Sequence, residues 1–162
     1  MEKIVLGLGS NVGNSLEYLR NAVAALSLFT KNVRISSVYK TKPQDYTAQD
    51  DFLNMVFTAD YDGTPESLLA QTQKIERQNG RDRSKQITKG PRTLDIDILL
   101  FGERTVQTLQ LTVPHPAMKK RQFVLIPLLE VLPDYAEPIS KVSYRYFLDE
   151  LADQGVEKFC SL

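Results

Sequence analysis

Two acidic residues, Asp95 and Asp97, stand two positions apart in the segment Gly90 to Gly102, which reads GPRTLDIDILLFG. Residues two apart on a β-strand point to the same face, so the spacing predicts both carboxylates on one face and Ile96 and Ile98 in the core. Two like charges this close repel unless a cation lies between them. Magnesium prefers one or two carboxylates together with phosphate oxygens. The pair therefore predicts a magnesium site, and the alternative is a strand face that is merely solvated.

A short basic segment precedes this pair, although Lys plus Arg equals Asp plus Glu at 20 each in the whole chain. It holds Arg77, Arg81, Arg83, Lys85, Lys89 and Arg92, with Asp82 as its one acid. Arginine suits phosphate because its fork donates two hydrogen bonds and keeps its charge. The polar stretch from Ser84 to Lys89 is typical of a mobile surface loop, which could close over a polyphosphate and exclude water. The alternative is an ordinary basic loop.

The only histidine, His115, lies between Pro114 and Pro116. The flanking prolines exclude regular helix and central strand, so we expect the imidazole on a rigid extended turn. A lone histidine is more often structural or solvated than functional. Only closeness to a phosphate site would favour a binding role.

Three glycines near the start, Gly7, Gly9 and Gly13, lack the spacing of a dinucleotide-binding loop, and no lysine of a phosphate-binding loop follows them. We interpret them as a strand-to-helix turn that lets a flat ligand approach the backbone.

The composition predicts a single domain over residues 1–162, with 42% apolar and 25% charged residues. The balanced charge gives no field that would attract nucleic acid or membrane. Cys160 is the only cysteine, which excludes an intrachain disulfide and favours a reducing compartment. The apolar run near the start is too short for a signal peptide, and no stretch reaches membrane-spanning length. We expect a cytoplasmic protein that is a monomer.

Hydrophobic periodicity predicts six elements in the order β-α-β-β-α-β. The predicted elements are strand 3–8, helix 15–29, strand 33–41, strand 53–61, a helix from Pro65 to before Gly80, and strand 94–100. Thr64 and Pro65 are typical of an N-cap followed by a first-turn proline. This order predicts an α+β, ferredoxin-like sandwich: an antiparallel four-stranded sheet with helices on one face. Additional C-terminal helices are expected over 123–132, where Pro127 would start or kink the helix, and over 143–152.

The motifs together resemble those of the 6-hydroxymethyl-7,8-dihydropterin pyrophosphokinases of folate biosynthesis. The resemblance runs from Ile4 to about Pro133. The residues that carry it are Leu8–Asn11, Ser37–Thr41, Phe52–Asn54, Gly90–Gly102 and Leu111–Pro116. It implies transfer of a pyrophosphoryl group from ATP, the co-substrate, to the hydroxymethyl group of the pterin, with release of AMP. It also implies Mg²⁺, as two ions, on Asp95 and Asp97.

The resemblance further implies two sets of binding residues. The pterin would lie between Phe52 and Phe123, with Thr41, Lys42, Pro43, Gln44 and Asn54 along its edge. ATP would be held by Gln73, Glu76, Arg83, Lys89, Arg92, Ile98, Thr112, His115 and Arg121. Arg81 and Arg92 would reach the transferring phosphates and act with Asp95 and Asp97 in catalysis. No separate general base is assigned.

The chain departs from the family pattern at three points. Thr88 and Lys89 stand where the family usually has an arginine and an aromatic residue before Gly90, and Gln110 replaces a basic residue. The loop from Arg83 to Gly90 has one residue more than the family pattern. These departures concern nucleotide affinity and loop closure.

Two functions of other classes remain open at this stage. The first is a ferredoxin-like RNA-binding module that uses the basic loop, although the chain lacks the interleaved aromatic residues that stack on bases. The second is a non-catalytic small-molecule sensor on the same fold.

Overall fold

The structure, a computed structural model, describes residues 1–43, 48–81 and 92–162. The strands are β1 (Glu2–Ser10), β2 (Lys31–Ile35), β3 (Val38–Thr41), β4 (Phe52–Tyr61), β5 (Asp95–Phe101), β6 (Val106–Gln107), β7 (Thr112–Val113) and β8 (Glu157–Cys160). The helices are α1 (Ser15–Ser27), α2 (Pro65–Gln78), α3 (Gln122–Val131) and α4 (Tyr144–Asp149), with a 3-10 turn at Met118–Lys120. In these ranges no helix is long and apolar enough to cross a membrane. Gln44, Arg83, Lys89 and the loop 84–89 lie outside the described residues.

The main sheet has the order β5-β1-β4-β3-β8, and β2 also pairs with β4. Strand β1 lies between β4 and β5 and is antiparallel to both. This arrangement, with α1 after β1 and α2 after β4, confirms the ferredoxin-like α+β sandwich. The pairing places Gly9 opposite Asn54 on one side and opposite Asp95 on the other. The middle of the sheet therefore brings together residues that are far apart in the sequence.

The predicted second strand, 33–41, is two strands that are separated at Ser36 and Ser37. The backbone N–H of Ser36 donates to Val56 O at 2.9 Å, and its hydroxyl accepts from Val56 N at 2.9 Å. This hydroxyl takes the place of a backbone acceptor. The chain can therefore bend at Ser36 while the backbone N–H of Val56 in β4 keeps a hydrogen bond. The sheet also gains an edge strand that was not predicted, since β8 pairs antiparallel with β3.

Helices α1 and α2 lie on one face of the sheet, as predicted, and the additional helices α3 and α4 cover the other face. Strands β1 and β4 contribute Leu6 and Phe57 to the core beneath α1 and α2. They contribute Val5 and Val56 to a second core beneath α3 and α4. Strand β4 is consequently buried on both faces from Met55 to Ala59 rather than alternating.

The two C-terminal helices follow the predicted positions, with α3 shifted by one residue from the predicted 123–132 and α4 shorter than predicted. Pro127 lies inside α3. Helix α4 ends at Asp149, earlier than the predicted 143–152.

Helix α2 begins as predicted. The Thr64 side chain accepts from Ser67 N, the Ser67 side chain accepts from Thr64 N, and Pro65 occupies the first turn. This capping box fixes where the helix starts, and therefore which of its residues reach β5 three turns later. Gly80, with a φ of 85°, follows the helix end in the left-handed region that glycine adopts without strain.

Candidate active site

Strand β5 presents Asp95 and Asp97 on one face, as the spacing predicted. Ile96 and Ile98, at 5% and 4% exposure, are buried in the core on the other face. Asp97 is half-buried, and its carboxylate has no hydrogen bond or ion pair to any of the described residues. Burial, together with the charge of Asp95, raises the pKa of Asp97 to about 7. An acceptor-only group without a partner in this position is suited to binding a cation.

Asp95 is held by two arginines. Its Oδ1 accepts from Arg81 at 2.5 Å, and its Oδ2 lies 3.3 Å from Arg92 Nη1. Arg92 stands three residues before Asp95, at the start of the strand. Arg81 and Arg92 of the basic segment therefore meet one of the two carboxylates, which the sequence alone left open.

Arg81 also forms an ion pair with Glu76 of α2. Glu76 is only 2% exposed and accepts a hydrogen bond from Ile96 N at 3.0 Å. Burial alone would lower the pKa of Arg81, but the charges of Asp95 and Glu76 outweigh it and raise that pKa above its ordinary value. The chain Glu76–Arg81–Asp95 joins the end of α2 to β5. In this geometry Arg81 contacts Glu76 and Asp95, and its predicted contact with the transferring phosphates stays a prediction.

A cavity of about 400 Å³ opens beside the carboxylates, a size typical of small-molecule sites. It lies where β1, β4 and β5 meet the beginning of α3. The predicted site residues that line it are Thr41, Lys42, Phe52, Asn54, Arg92, Asp95, Asp97, Arg121 and Phe123. Thus five of the seven proposed pterin residues, the two acids and two of the proposed ATP arginines share one cavity.

Each phenylalanine of the cavity carries a guanidinium over its ring. Arg92 Cζ lies 5.6 Å from the centroid of Phe52, and Arg121 Cζ lies 5.5 Å from that of Phe123. Both rings are half-buried. Such cation–π pairs hold flat surfaces and positive charges side by side. The site therefore offers stacking surface for a flat ring next to charge for an anion.

Asn54 provides a polar edge in the same cavity. Its Nδ2 donates to Thr41 Oγ1 at 3.0 Å, and its Oδ1 accepts no hydrogen bond from the described part of the chain. A Cβ on Gly9 would lie 2.8 Å from that Oδ1, closer than real contacts allow. Gly9 belongs to β1 rather than to the predicted turn, and it leaves room for the Asn54 amide.

Asn11 joins three segments of the site, although sequence reasoning gave it no role beyond its place in the Leu8–Asn11 motif. It is 4% exposed. Its Nδ2 donates to Gln49 Oε1 at 2.8 Å and to Asp50 O at 3.1 Å. Its Oδ1 accepts from Arg92 N at 2.9 Å. Gln49 itself lines the cavity, as do Lys120 and Gln154, and none of these was predicted.

His115 lies at the edge of the site, outside the cavity lining. Its backbone N–H donates to Leu99 O at 2.9 Å, and its Nδ1 accepts from Ala117 N at 3.2 Å. Burial, reinforced by the charge of Arg121, lowers the pKa of His115 below its ordinary value. The imidazole is therefore neutral at pH 7 and has its proton on Nε2, which makes it a donor.

The remaining predicted residues lie around this centre. Gln73 is half-buried on α2, Thr112 is exposed on β7, and Pro43 is half-buried two residues after the end of β3. The side chain of Ile98 is in the core, so any contact of this residue with a nucleotide would be through its backbone.

Comparison with known proteins identifies the family. The family model described as 7,8-dihydro-6-hydroxymethylpterin-pyrophosphokinase (HPPK) matches residues 5–133. The 2-amino-4-hydroxy-6-hydroxymethyldihydropteridine pyrophosphokinase of Aquifex aeolicus is 39% identical over all of this chain and 98% of its own length. The Bacillus subtilis protein of the same name is 45% identical over 78% of this chain and 75% of its own length.

Longer proteins contain a similar unit. The folic acid synthesis protein fol1 of Pneumocystis carinii is 33% identical, and the match covers 96% of this chain and 21% of that protein. A crystal structure of Plasmodium falciparum HPPK-DHPS, wild type with SDX-DHP, aligns with a TM-score of 0.72 over 93% of this chain. The chain spans less than half of that structure, 43%, and at 15% identity the likeness shows the fold alone.

Membership of this enzyme family favours an enzyme over the two alternatives, an RNA-binding module and a non-catalytic small-molecule sensor. The chain belongs to the 7,8-dihydro-6-hydroxymethylpterin-pyrophosphokinase family, the pyrophosphokinases that act on hydroxymethyldihydropterin in folate biosynthesis.

Proposed function

We propose that this protein uses the cavity beside Asp95 and Asp97 to transfer a pyrophosphoryl group from ATP to 6-hydroxymethyl-7,8-dihydropterin, with release of AMP. The observation that carries the proposal is the sharing of one cavity by a carboxylate pair, two arginines and two phenylalanines. A phosphoryl-type transfer needs positioning and charge neutralisation more than covalent help from the protein. These residue types supply both.

The carboxylate pair fits magnesium. Asp97 has no partner among the described residues, and burial and the charge of Asp95 raise its pKa, so a cation between the two carboxylates would relieve their repulsion. Asp95 and Asp97 would hold the metal, which we propose to be two Mg²⁺ ions. Bound magnesium would neutralise charge on the triphosphate.

The pterin side of the site depends on Phe52, Phe123 and Asn54. A flat heteroaromatic ring gains from stacking surface on its faces and from a few polar groups at its edge. Asn54 Oδ1 offers an acceptor for a ring N–H, and Thr41 holds the amide in place. Lys42 lies on the same cavity wall.

The nucleotide side depends on Arg92, Arg121 and His115. Arg92 and Arg121 line the cavity and bring positive charge next to the carboxylates. His115, as a neutral donor at the edge, can bind a phosphate oxygen without adding a charge. The other members of the proposed ATP set are Gln73, Glu76, Ile98 and Thr112, together with Arg83 and Lys89, which lie outside the described residues. We assign no general base.

We also propose that the protein acts as a cytoplasmic monomer. The free thiol of Cys160 fits a reducing compartment. Sedimentation equilibrium of the purified chain tests the monomer directly.

The deciding experiment is incubation with ATP, magnesium and 6-hydroxymethyl-7,8-dihydropterin, followed by separation of the nucleotides. Formation of AMP in step with the pterin pyrophosphate is expected. Formation of ADP instead would indicate an ordinary kinase, and absence of either nucleotide would contradict the proposal. Chelation of magnesium should stop the reaction, and continued turnover in excess chelator would refute the metal assignment.

A further inference from the structure

Helix α3 has an unusual beginning. Its N-cap residue, Arg121, makes no side-chain capping hydrogen bond. The N–H of the first helical residue, Gln122, instead donates at 2.9 Å to the side-chain oxygen of Gln154, which is 32 residues later. A second hydrogen bond runs in the opposite direction, from Gln154 N to the side-chain Oε1 of Gln122 at 2.7 Å. Gln154 thus replaces the cap that Arg121 does not supply.

Gln154 makes a third contact at the same junction. Its Nε2 donates to Lys120 O at 2.9 Å. Lys120 ends the 3-10 turn Met118–Lys120, and Gln122 begins α3. The backbone is therefore held on both sides of Arg121, whose guanidinium lies over Phe123.

Gln154 lies in a segment after residues 5–133, the range that the family model matches. It runs from α4, which packs against α3, to β8, which pairs with β3. Gly155, with a φ of 72°, allows the chain to turn immediately after Gln154. Gln154 also lines the cavity. Its position is thus fixed by the fold on both sides of it.

We propose that Gln154 is a positioning residue for the binding site, which sets Arg121 and Phe123 by capping α3 from the C-terminal segment. The inference rests on the proposed function for its meaning, since these are the residues proposed to bind ATP and the pterin. The three hydrogen bonds are the physical cause. Loss of the cap would let the first turn of α3 fray, and both side chains would then sample orientations unsuited to a ligand.

The test compares Gln154→Met, which keeps the length and loses every side-chain hydrogen bond, with Asp153→Ala. Asp153 is exposed and its carboxylate bonds to Gly155 N at 2.8 Å, so it controls for a general loosening of the segment. Binding of 6-hydroxymethylpterin is measured by calorimetry, and the exchange rate of the Gln122 amide by NMR. For Gln154→Met we expect affinity to fall about fivefold to tenfold, as for loss of a helix cap. The Gln122 amide should exchange faster, while Asp153→Ala stays within twofold of wild type.

Gln154→Glu provides a rescue. A carboxylate still accepts from Gln122 N and suits a helix N-terminus, but it cannot donate to Lys120 O. It should recover part of the lost affinity, because the restored acceptor for Gln122 N is offset by the second carboxylate oxygen facing Lys120 O. Wild-type affinity and amide exchange in a folded Gln154→Met protein would overturn the inference, as would a Gln154→Glu protein as weak as Gln154→Met. If wild type binds the pterin but forms no AMP, the proposed function fails while the positioning role is still decided by binding.

Discussion

Asn11 and Arg92 are joined by a reciprocal pair of hydrogen bonds. Asn11 N donates to Arg92 O at 3.1 Å, and Arg92 N donates to Asn11 Oδ1 at 2.9 Å. The same Asn11 side chain donates to Gln49 and Asp50. One buried amide therefore fixes the residue that leads into β5 and also the segment that precedes β4.

We expect Asn11→Ala to lower both stability and activity. Removing the amide leaves Arg92 N without its acceptor, which costs about 1–3 kcal/mol for a buried group. Because Arg92 contacts Asp95 and Phe52, kcat/KM for ATP should fall along with the free energy of unfolding. Denaturant unfolding and initial rates check this, with the exposed Asn21→Ala as the matched control. Wild-type kcat/KM in Asn11→Ala would contradict a role for this contact in placing Arg92.

The two carboxylates of β5 should respond differently to substitution. Asp97→Asn removes a charge that repels Asp95 and has no partner in the described structure, so the melting temperature without magnesium should equal or exceed that of wild type. Asp95→Asn weakens the contacts to Arg81 and Arg92, so it should lower stability by about 1.5–3 kcal/mol, as for charged hydrogen bonds. Thermal denaturation in chelator separates the two variants.

Both substitutions should nevertheless abolish most of the activity. Loss of a metal ligand removes several kcal/mol of charge stabilisation, or about 10³-fold in turnover. Initial rates over a range of magnesium concentrations measure this loss. Turnover of Asp97→Asn at the wild-type level in saturating magnesium would refute the metal site.

Glu137 should make the fold sensitive to acid. It is 3% exposed, and its carboxylate accepts from Ser140 N at 2.7 Å and from Ile139 N at 3.2 Å. Burial alone would raise the pKa of Glu137, but these hydrogen bonds, helped by the charge of Lys119, hold that pKa below its ordinary value of 4.5. A depressed pKa contributes stability that is present above the unfolded value and is lost as the pH falls through the folded value.

The free energy of unfolding should therefore decrease more steeply below about pH 4.5 in wild type than in Glu137→Gln. Urea unfolding at intervals from pH 3 to pH 7 measures the two slopes. Glu103→Gln, at an exposed glutamate, is the control and should follow wild type. Equal slopes in wild type and Glu137→Gln would contradict the prediction.

Local patterns predicted most of the elements, because their signals lie within a few residues. The alternation in β5 gave the side that Asp95 and Asp97 occupy, and Thr64 with Pro65 gave the start of α2. Strand β4 shows the limit of such patterns. The alternating pattern of its residues indicated one buried face, but α3 and α4 cover the other face as well. Where a helix packs depends on tertiary contacts, so the residue pattern of one strand cannot predict it.

The parts of the site that escaped prediction depend on long-range contacts. Asn11 bonds to Gln49 and Arg92, which are 38 and 81 residues away. Strand β8 has mostly exposed residues and forms because β3 offers it an edge. Arg81 likewise forms ion pairs with the buried Glu76 and with Asp95, and the sequence of the basic segment does not predict these pairs.

Phe123 gives the most direct test of the pterin cavity. Phe123→Ala should weaken binding of 6-hydroxymethylpterin by about 1–3 kcal/mol, because it removes both stacking and buried apolar surface. Arg121 also loses the ring beneath its guanidinium, so KM for ATP should rise in the same variant. Calorimetry with the pterin and steady-state rates with varied ATP measure the two effects separately.

Phe123→Leu divides the pterin effect into its causes. Leucine keeps most of the apolar volume and lacks the aromatic face, so a binding loss shared by both variants reports stacking, and a loss confined to alanine reports burial. Phe147→Ala is the matched control, since Phe147 packs against Tyr144 and Tyr146 and does not line the cavity. It should lower stability by a similar amount and leave pterin affinity unchanged. If Phe123→Ala folds and binds the pterin as tightly as wild type, Phe123 belongs to the core beneath α3, and the stacking surface must lie with Phe52 alone.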